Sequence, residues 1–277
     1  MNSPTNDRNS NSSLENWGLE VCANGYESVL AAELGGAKRV ELCDNLAEGG
    51  TTPSYAQIAL TKQNTQIEIW PIIRPRGGDF LYSDLEFKLM IEDIKICKSL
   101  NCDGVVIGIL RQDGTIDTER CTTLIELAKP LPVAFHRAFD MCNDMEKALE
   151  ELISIGIVRV LTSGGAPSAI KGSEQIAKLI KQANGRISIM PGGGIRQENL
   201  LDLMAKTGAI EFHASAKSLM PSKMKYRNHQ AKMGSIEDEY RYELTSETEV
   251  KALVNIIDEK KITSLSFCCL SFCGLSK

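Results

Sequence analysis

The sequence predicts an α/β protein of the (β/α)8 TIM-barrel class, folded as a single domain with a C-terminal helical extension, and three observations carry that prediction. Short apolar runs alternate with longer amphipathic stretches eight times between Trp17 and Ser215. A chain of 277 residues, 43% of them hydrophobic, is long enough for one such barrel, which typically needs about 250 residues, and closing it leaves no edge strand to protect. Polar residues that a plain core would not keep fall at the ends of the apolar runs, where this architecture places its chemistry.

The first two strands are expected over residues 18–23 and 39–43, where Leu19-Glu20-Val21-Cys22 and Val40-Glu41-Leu42-Cys43 repeat one pattern. Side chains in a strand alternate faces, so Glu20 points with Cys22 and Glu41 points with Cys43. If the two strands are parallel neighbours, about 4.8 Å apart, two acids and two thiols meet at one site. Gly49-Gly50, just downstream, lets backbone come close to a ligand. Further strands are expected over 68–74, 104–108, 133–136, 159–162, 188–190 and 210–213. Helices are expected over 26–34, 83–99, 118–128, 144–155, 168–182 and 197–206, with Gly35-Gly36, Gly156 and Gly208 as stop signals. Residues 224–244 are polar and without clear period, and a last helix over 246–259, capped by Ser246, would close one barrel end. The domain reading is therefore a disordered Asn/Ser-rich tail over 1–16, the barrel with its closing segment over 17–260, and a cysteine-bearing tail over 261–277.

A net charge of -5 and a pI near 5.4 offer no general attraction to nucleic acid or to an anionic membrane surface. Residues 1–16 lack the apolar core of a signal peptide, and no run of about 18 apolar residues could span a bilayer, so a soluble intracellular protein is expected. Nine cysteines, an odd number spread through apolar segments, read as reduced thiols rather than a disulfide framework. Cys97, Cys102 and Cys121 read as core residues; Met190, Met220, Met224 and Met233 are assigned no metal, and His229 reads as a surface histidine. No nucleotide cofactor is predicted.

The expected barrel mouth collects Cys22, Glu41, Cys43, Arg74, Arg76, His136, Arg137, Asp140, Thr162, Ser163, His213 and Ser215. One reading of this constellation is catalytic. Glu20, Glu41 and His136 would do acid and base work, while Arg39, Arg74 and Arg137 hold an anion. A second reading is a polar plug, a network of paired charges that fills the barrel. The loops after strands six, seven and eight, carrying Ser163, Gly193, Gly194 and Ser215, suit a small phosphate or carboxylate ligand, because barrels often bind phosphate there with backbone N–H groups.

Two longer motifs go further: Ile-Arg-Pro-Arg-Gly-Gly-Asp-Phe-Leu-Tyr over 73–82 and Phe-His-Arg-Ala-Phe-Asp over 135–140. With Leu-Thr-Ser-Gly-Gly over 161–165, Met-Pro-Gly-Gly-Gly-Ile over 190–195 and Glu-Phe-His-Ala-Ser over 211–215, the chain resembles the CutC family of copper-homeostasis proteins over about residues 19–233. The resemblance implies a (β/α)8 barrel that is cytoplasmic, and in animals also nuclear, that assembles into homo-oligomers and that is linked to copper tolerance. It also implies copper(I) as a cofactor or cargo, held by the family's cysteines, which carry over onto Cys22 and Cys43. Copper(I) is soft and takes few ligands, so a thiol pair on adjacent strands suits it. No catalytic reaction is implied, and the two tails depart from the family pattern.

Overall fold

In the computed structural model, residues 17–228, 230–233 and 238–272 are described, with side chains through residue 262; the expected tail over 1–16, the last five residues and His229 lie outside them. Eight parallel strands alternate with helices along the chain. They are β1 (Gly18–Ala23), β2 (Arg39–Leu42), β3 (Glu68–Pro71), β4 (Val105–Ile107), β5 (Val133–Phe135), β6 (Arg159–Thr162), β7 (Ser188–Pro191) and β8 (Glu211–Ala214). The helices that follow them are α1 (Tyr26–Leu34), α2 (Tyr55–Asn64), α3 (Asp84–Ser99), α4 (Thr118–Ala128), α5 (Met145–Ser154), α6 (Ser173–Ala183) and α7 (Gln197–Thr207).

Two four-stranded ladders, β3-β2-β1-β8 and β4-β5-β6-β7, are joined by single parallel bridges between Ile72 and Val106 and between Gly192 and His213. Those two bridges close the barrel. At the β3–β4 seam Ile73 donates its N–H to the Val106 carbonyl at 2.8 Å, so pairing continues beyond Pro71, where the ring leaves no N–H to give. Cys43 likewise follows the last residue of β2 yet keeps ladder geometry, its N–H bonded to Ala23 O at 2.9 Å.

Alternation along the strands builds two cores. Val21, Val40, Ile69, Phe135 and Phe212 face the helices and are fully buried, while Cys43, Trp70, Ile72, Val106 and Ala134 pack inside the barrel. Interior rings take the space of missing Cβ atoms. A Cβ on Gly104 would lie 2.4 Å from the Trp70 ring, and one on Gly108 would lie 2.1 Å from His136 Cε1. These close approaches explain two glycines that flank β4.

The polar stretch after β8 is more ordered than its sequence suggests. β9 (Lys217–Pro221) and β10 (Arg241–Thr245) form an antiparallel hairpin, fastened to the end of β1 by Asn24 Nδ2 donating to Glu243 O at 2.9 Å. Ser246 caps the next helix as expected, accepting from Glu249 N at 3.4 Å, and α8 (Glu247–Phe272) runs beyond the expected end at residue 259. Val250, Leu253 and Ile257 bury that helix on the barrel wall. Among the described residues, no helix is long and apolar enough to cross a membrane.

Candidate functional site

The deepest polar layer lies inside the barrel, and it corrects one expectation. Arg39 does not reach the mouth. It precedes Glu41 by two residues on the same inward face, so it sits a layer deeper, 2% exposed. There its Nε donates to Glu20 Oε2 at 2.5 Å and its second terminal nitrogen donates to Glu211 Oε1 at 2.9 Å. Glu211 also accepts from Arg159 Nε at 2.9 Å and from Ser188 Oγ at 2.5 Å, and both guanidinium groups lie over the Trp70 ring. With its donors taken by carboxylates, Arg39 has no free edge for an anion. The plug reading describes this layer. Burial opposes charge on Glu211, yet Arg159 and Arg39 hold its carboxyl below the ordinary range.

Above that layer the first two strands deliver the cluster expected of them. Cys22 Sγ lies 3.6 Å from Cys43 Sγ and 3.6 Å from Glu41 Oε2. His213, at the end of β8, completes it: Nε2 is 3.7 Å from Glu41 Oε2, and Nδ1 is 2.8 Å from Glu20 Oε1. Both thiols are free. The Cys22 thiol is pushed well up by its hydrogen bond with Cys43 and by burial. Glu41 is pushed up by burial, despite His213 beside it. Glu20 is burdened by the same burial, but Arg39 and His213 hold its carboxyl well below the usual range. For His213, burial is outweighed by Cys22 and the two carboxylates, which push the imidazole well up. Sequence reasoning placed His213 at a strand end but gave it no partner. Its link to Glu20 spans 193 residues and becomes visible only when β8 is set beside β1, which pairs Glu20 with His213 in register.

Beside the cluster opens a cavity of about 360 Å³, walled by Cys22, Glu41, Arg74, Phe80, His136 and Arg137 among others. His136 is buried, and its Nδ1 accepts from Ala138 N at 3.1 Å, which leaves the proton on Nε2. Burial, aided by Arg74, pushes its pKa down to about 3, so near neutrality the ring is neutral, with a proton to donate from Nε2. Neither His136 Nε2 nor Glu41 Oε1 has a hydrogen-bond partner among the described residues, although both are buried. Arg74 is occupied otherwise: it donates to the carbonyls of Glu48, Gly50 and Gly78 at 2.7 to 2.8 Å and so ties together the loops after β2 and β3.

The anion loops meet Arg137. Its Nε donates to Asp140 Oδ2 at 2.7 Å and a terminal nitrogen donates to Ser163 Oγ at 2.8 Å. Asp140, expected at the mouth but given no role there, organises this corner by accepting from Thr162 Oγ1 at 2.6 Å, from Ser163 N at 3.0 Å and from Gly165 N at 3.1 Å. Gly193, Gly194 and Ser215 line a second cavity of about 560 Å³ with Arg137, Cys22 and Lys217. Structure thus gathers Cys22, Cys43, Glu41 and Glu20 with His213, sets His136 and Arg137 on the adjoining cavity, and leaves Arg39 beneath.

Fold and site together define a class: a (β/α)8 barrel whose mouth joins two free thiols to a buried histidine–carboxylate pair. The model of the CutC family matches residues 17–218. Similar proteins include a copper homeostasis protein cutC homolog from Homo sapiens, 50% identical over 237 residues, covering 85% of this chain and 87% of the relative. A CutC family protein from Parabacteroides distasonis is 52% identical over 239 residues, covering 85% of this chain and 98% of the relative. Among solved structures, the copper homeostasis protein CutC from Streptococcus agalactiae superposes with a TM-score of 0.69 at 38% identity, over 72% of this chain and 98% of that one. This chain belongs to the CutC family. Phosphoribosylanthranilate isomerase from Thermotoga maritima, 11% identical with a TM-score of 0.53 over 87% of this chain and 98% of that one, shares the barrel fold alone.

The two described histidines should separate cleanly by NMR at pH 7: His136 neutral with its proton on Nε2 and unchanged between pH 5 and 8, His213 doubly protonated. The sign for stability follows. A ring whose pKa falls from 6.5 unfolded to about 3 folded leaves stability intact above pH 6.5 and erodes it as pH drops from there towards 3. Replacing it by His136→Phe should therefore flatten that part of the acid denaturation profile.

Proposed function

We propose that this protein serves copper homeostasis inside the cell by binding copper(I) through the thiolates of Cys22 and Cys43 at the barrel mouth. One observation carries the reading: two free thiols from neighbouring strands lie 3.6 Å apart, Cys22 on the wall of a cavity and Cys43 fully buried next to it. Metal–sulfur bonds of about 2.3 Å would put one ion within reach of both sulfurs, bent rather than linear, as a soft ion with few ligands tolerates. Relatives bearing the name copper homeostasis protein support the same role. The reading includes the cytoplasm, and in animal cells the nucleus, as the place of action, and a homo-oligomer as the working form.

Cys22 holds its proton in the free protein, so copper(I) must displace it. An anaerobic titration against a competing chelator should show tight binding that strengthens about tenfold per pH unit for each proton released. Binding should vanish in Cys22→Ser/Cys43→Ser and survive truncation before Ser264. Equal affinity in the double variant would refute the thiol site.

The unpartnered Nε2 of His136 and Oε1 of Glu41 favour a second reading, an enzyme for a small phosphate- or carboxylate-bearing metabolite. In it Glu41 and Glu20 handle protons, His136 donates to the substrate, and Arg137, Ser163, Gly193, Gly194 and Ser215 seat the anion beside Arg74. Crystals soaked in phosphate should then hold an anion against Arg137 and the Gly193–Gly194 turn, and empty loops at saturating phosphate would remove this reading.

A further inference from the structure

We propose that the barrel mouth holds a second, distinct kind of metal site, a Zn²⁺ site formed by Cys22, Glu41 and His213, with Glu20 as the group that orients the histidine. It shares Cys22 with the proposed copper site, needs no contribution from Cys43, and does not depend on copper binding.

Spacing is the first support. Zinc bonds of about 2.3 Å to sulfur and about 2.0–2.2 Å to nitrogen or oxygen, arranged tetrahedrally, separate neighbouring donors by roughly 3.3–3.8 Å. Cys22 Sγ to Glu41 Oε2 is 3.6 Å, Glu41 Oε2 to His213 Nε2 is 3.7 Å, and the three donors all lie within 4.8 Å of one another. Small shifts of side chains suffice to bind. The donors come from β1, β2 and β8, which are consecutive around the barrel, so the site rests on rigid, hydrogen-bonded strands rather than on loops.

The second support is behind the histidine. Metal-binding imidazoles commonly give their other ring N–H to a carboxylate, which fixes the tautomer and makes the ligating nitrogen more basic. His213 has that arrangement already, with Nδ1 2.8 Å from Glu20 Oε1, and Glu20 is in turn anchored by Arg39. Nε2 is thereby aimed at Glu41 and the thiol.

Donor chemistry selects the ion. One thiolate, one imidazole and one carboxylate form a borderline set that suits Zn²⁺, whereas copper(I) favours the all-sulfur pair nearby. Thiolate and carboxylate together also balance a double positive charge in a buried place. Three protein ligands are one fewer than a closed structural zinc site uses, so the fourth position stays open towards the cavity that His136 and Arg137 line. A site of that form binds a water or a small oxygen ligand there.

Cobalt(II) is the probe, because in place of zinc it reports its ligands by colour. Titrating the metal-free, full-length protein anaerobically should give one equivalent of tetrahedral visible bands, with a sulfur-to-cobalt charge-transfer band of one-thiolate intensity, all erased by added Zn²⁺. Cys43→Ser should keep the spectrum, Cys22→Ser and His213→Gln should abolish it, and Glu20→Gln should weaken binding about 10–100-fold. No tetrahedral spectrum in the unmodified protein would overturn the proposal, as would a two-thiolate spectrum lost in Cys43→Ser. The intensity in the unmodified protein decides the matter even where a variant fails to fold. Copper(I) binding in the same set of proteins is a separate readout: its loss in Cys43→Ser with cobalt retained identifies two sites, and its absence throughout leaves the zinc site standing.

Discussion

The buried contact between Arg39 and Glu20 is the constraint on which the rest of the site depends. Glu20 divides its two oxygens, one to Arg39 below and one to His213 above. Without the guanidinium, a carboxylate 2% exposed would be forced to take a proton, and its bond to the imidazole would lose its charge. Arg39 is itself kept in place by Glu211, which Arg159 and Ser188 also hold. Charge inside the barrel is therefore a chain, handed from β6 and β7 through β8 and β2 to β1. Branched apolar side chains usually fill such an interior. Here paired charges form one layer among apolar side chains such as Trp70, Ile72 and Val106, and fix the upper layer by direct contact.

The upper layer owes its composition to register. Cys22 pairs with Glu41 across β1 and β2, and Glu20 pairs with His213 across β1 and β8, so three strands put a thiol, two carboxylates and an imidazole at one height or the next. Cys43 adds a second thiol because the ladder runs on past the last residue of β2. The same few atoms then offer two donor sets, an all-sulfur pair and a mixed triad. Which ion occupies them is a matter of ligand softness, not of fold, since the barrel shape is shared with enzymes of unrelated chemistry.

Much of this was legible in the sequence, and the exceptions have physical causes. Strand alternation alone set Glu20 with Cys22 and Glu41 with Cys43, and barrel order made their strands neighbours. The same alternation put Arg39 on the inner face but could not say how deep, and depth decides whether a guanidinium meets solvent or a carboxylate. His213 was visible as a polar residue at a strand end. Its partners are far away in sequence, and barrel closure is what brings them together. The β9–β10 hairpin left no pattern because most of its side chains are exposed on both faces, so nothing forces apolar and polar residues to alternate. Asp140 was present in a conspicuous motif, yet its role is to gather backbone and hydroxyl donors from the next loop, a contact that sequence spacing does not encode.

Copper(I) held by the Cys22–Cys43 pair is the central claim, and the most direct measurement is X-ray absorption at the copper edge of the anaerobically loaded, full-length protein. Two sulfur neighbours at ordinary copper–thiolate distance, both lost when the two cysteines become serine, is the result this account predicts. A first shell made only of nitrogen and oxygen, or sulfur neighbours that persist in the double variant, would contradict it.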